Sequence, residues 1–240
     1  MTRLDVLVTK NGLAESRERA QALIIAGKVR VAGETVRRPD RSVADGTPIS
    51  VEGDPAYASR GALKLGPALE RFGVDPAGRI CADIGASTGG FTDVLLRRGA
   101  ARVYALDVGR GLLHWRLRQD PRVVVIERVN AREMATFPEA VSLVVIDVSF
   151  IGLEKVLPAV SRAAPGGEIV ALFKPQFQVE RASVGKGGIV RDESAIAAAL
   201  AGFRAWCAAN GFEVLNEAAS ELPGAEGNCE IFVHLRPQPL

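Results

Sequence analysis

Ile80-Cys81-Ala82-Asp83-Ile84-Gly85-Ala86-Ser87-Thr88-Gly89-Gly90-Phe91 runs from a short apolar stretch through a glycine-rich turn into Thr92-Asp93-Val94-Leu95-Leu96-Arg97-Arg98, whose spacing is helical. A strand, a glycine turn and a helix in that order leave backbone N–H groups pointing outward at the helix start. Glycines there remove the side chains that would hold a nucleotide-like ligand away. The same turn with no ligand at all is the alternative, because a glycine motif taken singly is a weak signal.

The spacing narrows the ligand. A dinucleotide fold places glycine at the second position of G-x-G-x-x-G, for close approach to a pyrophosphate; here Ser87 stands in that place, between Gly85 and Gly89-Gly90. S-adenosylmethionine fits this pattern better. It has no phosphate, and its zwitterionic methionine end suits turn amides, Asp83 and the residues from Gly85 to Phe91.

Downstream of residue 79, strand and helix patterns alternate, which predicts an α/β sheet covered on both faces. Strands are expected over 79–83, 102–107, 122–127, 142–148, 167–173, 212–218 and 228–235, and helices near 90–98, 111–118, 153–163 and 192–209. Seven strands is the count of the Rossmann-like methyltransferase sheet. Ligands of open α/β sheets sit at the carboxyl ends of the strands. Asp107 ends the second strand, 22 residues after Gly85, where a carboxylate can accept both ribose hydroxyls; Asn130, after the third, is placed for an adenine edge. Each taken alone is as well explained as a loop cap.

The fourth strand delivers Asp147-Val148-Ser149-Phe150. Enzymes that methylate an exocyclic amine place prolines and an aromatic after such an acid, and the prolines are missing. No cysteine stands where a covalent pyrimidine methylation needs a nucleophile. The fifth strand ends in Lys174-Pro175-Gln176-Phe177, and the last carries Glu230. Two lysines and two carboxylates beside a methyl donor suit a hydroxyl acceptor, which needs a base or a cation for the forming alkoxide. Lys174 is the candidate for that role, Lys64 for the second positive charge, and Asp147 and Glu230 for holding the two amines in line. Any one of the four has a surface ion pair as its alternative, Lys64 above all.

Upstream, Thr2-Arg3-Leu4-Asp5 reads as a helix start with Thr2 as cap and an acid three residues on. Ser16 reads as the cap of a second helix that stops at Gly27, and residues 28–36 alternate as a hairpin does. Residues 1–52 hold nine Lys/Arg against seven Asp/Glu, the whole excess behind the chain's net charge of +2. The segment resembles the small RNA-binding domain first described in a ribosomal small-subunit protein, on the helix over 17–21 and on Ala26-Gly27-Lys28-Val29-Arg30-Val31. A domain at 1–52, a linker at 53–58 and a catalytic domain at 59–240 are expected, with Arg17, Lys28 and Arg30 facing RNA.

Bulk composition fits an ordinary globular protein, 48% hydrophobic and 24% charged over 240 residues. Cys81, Cys207 and Cys229 show no zinc spacing, and no apolar run is long enough to span a bilayer. The expectations are a cytoplasmic protein, no metal and no membrane.

The stretches Ser59-Arg60-Gly61 with Lys64, 83–91, Asp107-Val108-Gly109, Asp120-Pro121-Arg122-Val123, Asp147-Val148-Ser149-Phe150-Ile151, Lys174-Pro175-Gln176-Phe177, and Gly188 with Asn228 and Glu230 together resemble the hemolysin A (TlyA) family of ribosomal RNA methyltransferases. Its catalytic domain is similar to FtsJ-type ribose methyltransferases. The resemblance implies a Lys-Asp-Lys-Glu tetrad on Lys64, Asp147, Lys174 and Glu230, cytidine 2′-O-methylation in ribosomal RNA or a ribosomal subunit, RNA contacts at Arg60, and stacking of a displaced base on Phe150. Ala58, Leu112 and Gln178 depart from the family pattern, outside the tetrad. The loop 184–188 reads as a flap near the RNA. A membrane-lysing activity, suggested by the family's name, and a catalytically silent RNA-binding module are the rival readings.

Overall fold

The computed structural model describes all residues except 12, 15, 52–57, 225, 226, 239 and 240, and the side chain of 182. The chain divides into two compact units, Met1–Ala56 and Tyr57–Leu240. Most of the linker expected at 53–58 therefore lies outside the described residues.

The N-terminal unit comprises β1 (Thr2–Arg3), α1 (Leu4–Lys10), α2 (Arg17–Ile25), β2 (Val29–Val31), β3 (Glu34–Val36), β4 (Ser42–Val43) and β5 (Ile49–Val51). Leu4, Leu7, Val8, Ala20, Ile24 and Val29 bury one face of each helix against the three-stranded sheet β3-β2-β5. Ser16 Oγ accepts the Arg19 N–H and caps α2. The expected cap at Thr2 does not form. Thr2 and Arg3 pair instead with Val43 and Ser42, and Asp5 is buried as an ionic hub. Its carboxylate accepts from Arg3 Nε at 3.1 Å, Arg17 Nε at 3.0 Å and Gln21 Nε2 at 2.8 Å. A carboxylate in an apolar core requires such partners, and the Arg3 bond, with those of Gln21 and Arg17, holds its carboxyl well below the usual range against the opposing effect of burial.

The second unit comprises α3 (Ala62–Phe72), β6 (Ile80–Ile84), α4 (Gly90–Arg97), β7 (Arg102–Asp107), α5 (Trp115–Arg118), β8 (Val123–Glu127), β9 (Leu143–Ile146), α6 (Leu157–Ala163), β10 (Glu168–Phe173), α7 (Glu193–Ala209), β11 (Phe212–Ala219) and β12 (Ile231–Pro237). The strands form one sheet in the order β11-β12-β10-β9-β6-β7-β8. Leu143, Val144, Val145 and Ile146 have no exposed surface, the unbroken apolar run of a strand covered on both faces. Phe203 and Cys207 of α7 pack with α6 on one side, and Leu65, Leu69 and Leu95 of α3 and α4 on the other.

The helix expected over 111–118 is only the single turn of α5. The one expected over 153–163 is divided into a 3-10 turn, Leu153–Lys155, and α6, with Pro158 in the first turn of α6. The parallel strands β6, β7, β8, β9 and β10 all end at one edge. β12 runs antiparallel to β10 and β11, with Ile231 opposite Phe173, so β12 begins where its neighbours finish. Glu230, just before β12, is thereby brought to the edge that carries Asp147 and Lys174.

Candidate active site

Gly85 has φ of +84°, and a Cβ there would lie 2.4 Å from the carbonyl oxygen of Asp147. At Gly89 a Cβ would meet Leu117 Cδ1 at 2.2 Å, and at Gly90 it would meet Ser59 Oγ at 2.2 Å. These glycines answer close packing within the protein: the turn after β6 against the end of β9, and α4 against α5 and the start of α3. Gly85, Gly90 and Phe91 line a cleft, the Phe91 ring largely buried and tilted against Phe232 at 6.0 Å between ring centroids.

Asp83 is fully buried beneath that turn. Its Oδ2 accepts the Thr92 N–H at 2.8 Å and the Thr92 hydroxyl at 2.7 Å, while Oδ1 has no partner among the described residues. Burial pushes the Asp83 carboxyl up to about 7, with Asp147 and Asp107 adding to the rise and the Thr92 bonds opposing it.

Three clefts open at this edge and share walls. The first is lined by Arg60, Lys64, Asp83, Ser87 and Asp147. The second, about 450 Å3, is lined by Asp107, Val108, Leu112, Asn130 and Phe150, with Ser87 and Asp147 common to both. The third is lined by Lys64, Phe150, Lys174, Phe177, Gly188 and Glu230. Asp107 accepts the Ser87 N–H at 2.8 Å and the Gly109 N–H at 2.7 Å. Asn130 Oδ1 accepts the Arg132 N–H at 3.1 Å, a local turn cap, yet the residue also faces the second cleft.

Lys64, Asp147, Lys174 and Glu230 come together as two ion pairs. Lys64, in the first turn of α3, lies 2.6 Å from Glu230 Oε2, with side chains 13% and 3% exposed. Lys174 Nζ is 2.5 Å from Asp147 Oδ1 and donates to Ser149 Oγ at 3.1 Å. The contact with Asp147 is one of charge rather than an aligned hydrogen bond, since Oδ1 takes no hydrogen bond in the site. Phe150 has φ of +64° and is 90% exposed, its ring 5.2 Å from that of Phe177. A left-handed aromatic residue standing in solvent is strained and unprotected, a combination that points to function.

Other candidates are placed differently. Arg60 lines the first cleft rather than the third. Arg17 has half its side chain exposed but its Nε is committed to Asp5, so its first role is structural; Lys28 and Arg30 are exposed. The loop at 184–188 borders the third cleft and is tied to Asn228. Sequence reasoning quoted Ser149, Gln176 and Phe177 but gave them no role. All three line the third cleft, and their adjacency to Phe150 and Lys174 was the available signal. Cys81 and Cys207 are buried, and burial pushes both thiols up to about 12, which keeps them from acting as nucleophiles.

Residues 57–237 match the FtsJ-like methyltransferase model and residues 2–49 the S4 domain model. The 16S/23S rRNA (cytidine-2′-O)-methyltransferase TlyA of Mycobacterium tuberculosis is 49% identical over 243 residues, spanning 98% of this chain and 90% of that protein. Hemolysin A of Brachyspira hyodysenteriae is 42% identical, over 97% of this chain and 98% of its own length. The solved structure of a candidate hemolysin from Streptococcus thermophilus superposes with a TM-score of 0.74 at 43% identity, over 99% of this chain and 88% of that one. An FtsJ-like sheet with two lysine–carboxylate pairs at its catalytic edge and an S4 domain before it, at these identities over nearly full length, makes the chain a member of the TlyA (hemolysin A) family of FtsJ-like methyltransferases.

Proposed function

We propose that this enzyme transfers a methyl group from S-adenosylmethionine to the 2′-hydroxyl of a cytidine in ribosomal RNA, in the cytoplasm. The observation that carries the reading is Lys174, held between Asp147 and Ser149 in the cleft shared with the Lys64–Glu230 pair. The residues present fit the cofactor. The buried, unpartnered Oδ1 of Asp83 and the nearby Asp147 suit its ammonium end, and Arg60 suits its carboxylate. Asp107 suits the ribose hydroxyls, between the apolar walls of Val108 and Leu112, and Asn130 suits the adenine.

The cofactor supplies an electrophilic methyl on a sulfonium, which needs no activation. The acceptor hydroxyl does. Lys174 would take the hydroxyl proton as the methyl group is transferred to the 2′-oxygen, Asp147 orients that amine, and Lys64, fixed by Glu230, places a cation beside the charge that develops on the oxygen. Phe150, already displayed to solvent beside Phe177, offers a ring for a base taken out of its stack.

Ribosomal RNA from cells lacking the protein, treated with the pure enzyme, is expected to gain a cytidine resistant to alkaline cleavage. Lys174→Ala should lower the rate by about 100-fold or more, with S-adenosylmethionine still bound in calorimetry. Unchanged activity in that variant, or a methyl group on a base instead of a ribose, defeats the proposal.

A further inference from the structure

Asn228 is 1% exposed, and its carboxamide uses both ends on one stretch of main chain. Oδ1 accepts the Val190 N–H at 2.9 Å and Nδ2 donates to the Gly188 carbonyl at 2.9 Å. This mimics the paired bonds of a strand neighbour across about 40 residues of sequence. The stretch it holds is the exit of the loop that walls the third cleft: Gly187 and Gly188 line that cleft together with Lys64, Lys174 and Glu230. The loop is otherwise closed on itself, Gly185 N–H donating to the Ile189 carbonyl at 3.0 Å and Gly188 N–H to the Gly185 carbonyl at 3.1 Å.

The other side of Asn228 is the Glu230 support. The Asn228 carbonyl accepts the Gly224 N–H at 2.9 Å, and a Cβ on Gly224 would stand 2.7 Å from Glu230 Oε1. Gly224 thus packs against Glu230 while its N–H is bonded to Asn228. Asn228 and Glu230 stand two apart in the chain, Glu230 paired with Lys64 and Asn228 bonded to the loop whose Gly187 and Gly188 line the same cleft.

We propose that Asn228 is a positioning residue for the acceptor ribose: its carboxamide sets the distance between the 187–190 wall and the Glu230–Lys64 pair, and so the line of approach of the 2′-oxygen. This rests on the ribose reading given above. A misplacement of about 1 Å at a reacting atom costs on the order of 100-fold in rate. The clefts that suit the cofactor have no residue of the held loop in their walls.

The test is Asn228→Ala in the full chain. With wild-type methylation of ribosomal RNA established first, the variant should bind S-adenosylmethionine within about twofold of wild type and keep its KM for RNA within about threefold, while kcat at saturating RNA falls at least tenfold. A merely structural role would lower the folded fraction and leave kcat per folded molecule unchanged. That result, or an equal loss of cofactor affinity, overturns the assignment. Hydrogen exchange on the wild-type enzyme gives a measurement needing no variant: the Val190 amide should be protected in the absence of RNA, and exchange as fast as that of an open loop amide overturns the clamp. A wild-type enzyme that methylates no RNA would defeat the ribose reading instead, and leaves the exchange result standing as the measure of the clamp.

Discussion

Asp83 sits where burial favours the neutral acid and a bound cation would favour the anion. Its folded value of about 7 exceeds the ordinary 3.8, so between those values the folded state holds a proton that the unfolded chain has released. Its contribution to stability therefore falls as pH rises from about 4 to about 7 and is level above, at up to about 1.4 kcal/mol per pH unit. Asp83→Asn keeps an acceptor for the Thr92 N–H and removes this dependence. Urea unfolding at pH 5 and pH 8 should show the variant gaining on wild type at the higher pH. On the proposed placement of the cofactor the same linkage applies, since an ammonium group beside Asp83 favours its ionised form: wild-type affinity should weaken as pH drops below about 7, by up to tenfold per unit, and this slope should vanish in the variant. Calorimetry between pH 6 and 8 decides it, and wild-type binding indifferent to pH would remove Asp83 from the cofactor's ammonium end.

Elements were legible where their signal is local. The seven strands stand within about three residues of their expected starts and ends, most plainly β9, whose run of four buried apolar residues is that of a strand covered on both faces. What the pattern does not carry is long-range partnership. Thr2 reads as a cap, yet its backbone is taken by Val43; Glu230 reaches the edge that carries Asp147 and Lys174 only because β12 runs antiparallel; and the glycine-rich turn gives no sign that neighbouring side chains and backbone also require Gly85, Gly89 and Gly90. Asp5 belongs to the same class. Joined to Arg3 beside α1 and to Arg17 and Gln21 of α2, it ties two helices that share a small core. Because its carboxyl is held below the usual range, the stabilisation is present above about pH 4 and lost as pH falls through the acid region. Asp5→Ala leaves two arginines without their carboxylate and should destabilise the N-terminal unit by roughly 1–3 kcal/mol. Hydrogen exchange on the full chain reads it: amides of α1 and α2 should exchange faster while those of β6 and β9 are unchanged, and uniform protection across both units would show that Asp5 is no hub.

At the scale of the molecule, the chain joins an S4 unit to an FtsJ-like methyltransferase unit. The catalytic edge can align one ribose, and neither the tetrad nor the exposed Phe150 supplies the many phosphate contacts that RNA affinity requires. We propose that those contacts come from the N-terminal unit, where Arg19, Lys28 and Arg30 are exposed and Arg30 alternates outward between the inward Val29 and Val31 of β2. Replacing all three with alanine removes up to three phosphate contacts. Each contact adds about 0.7 to 0.9 to the slope of log affinity against log salt, so the slope should become shallower by about 2 to 3 when binding is titrated across salt concentrations. At low salt and saturating RNA, kcat should stay within about twofold of wild type, because the cleft beside Lys174 is lined by residues of the methyltransferase unit. A variant that keeps the full salt slope but loses kcat would mean that the N-terminal unit acts on the chemistry and not on the grip.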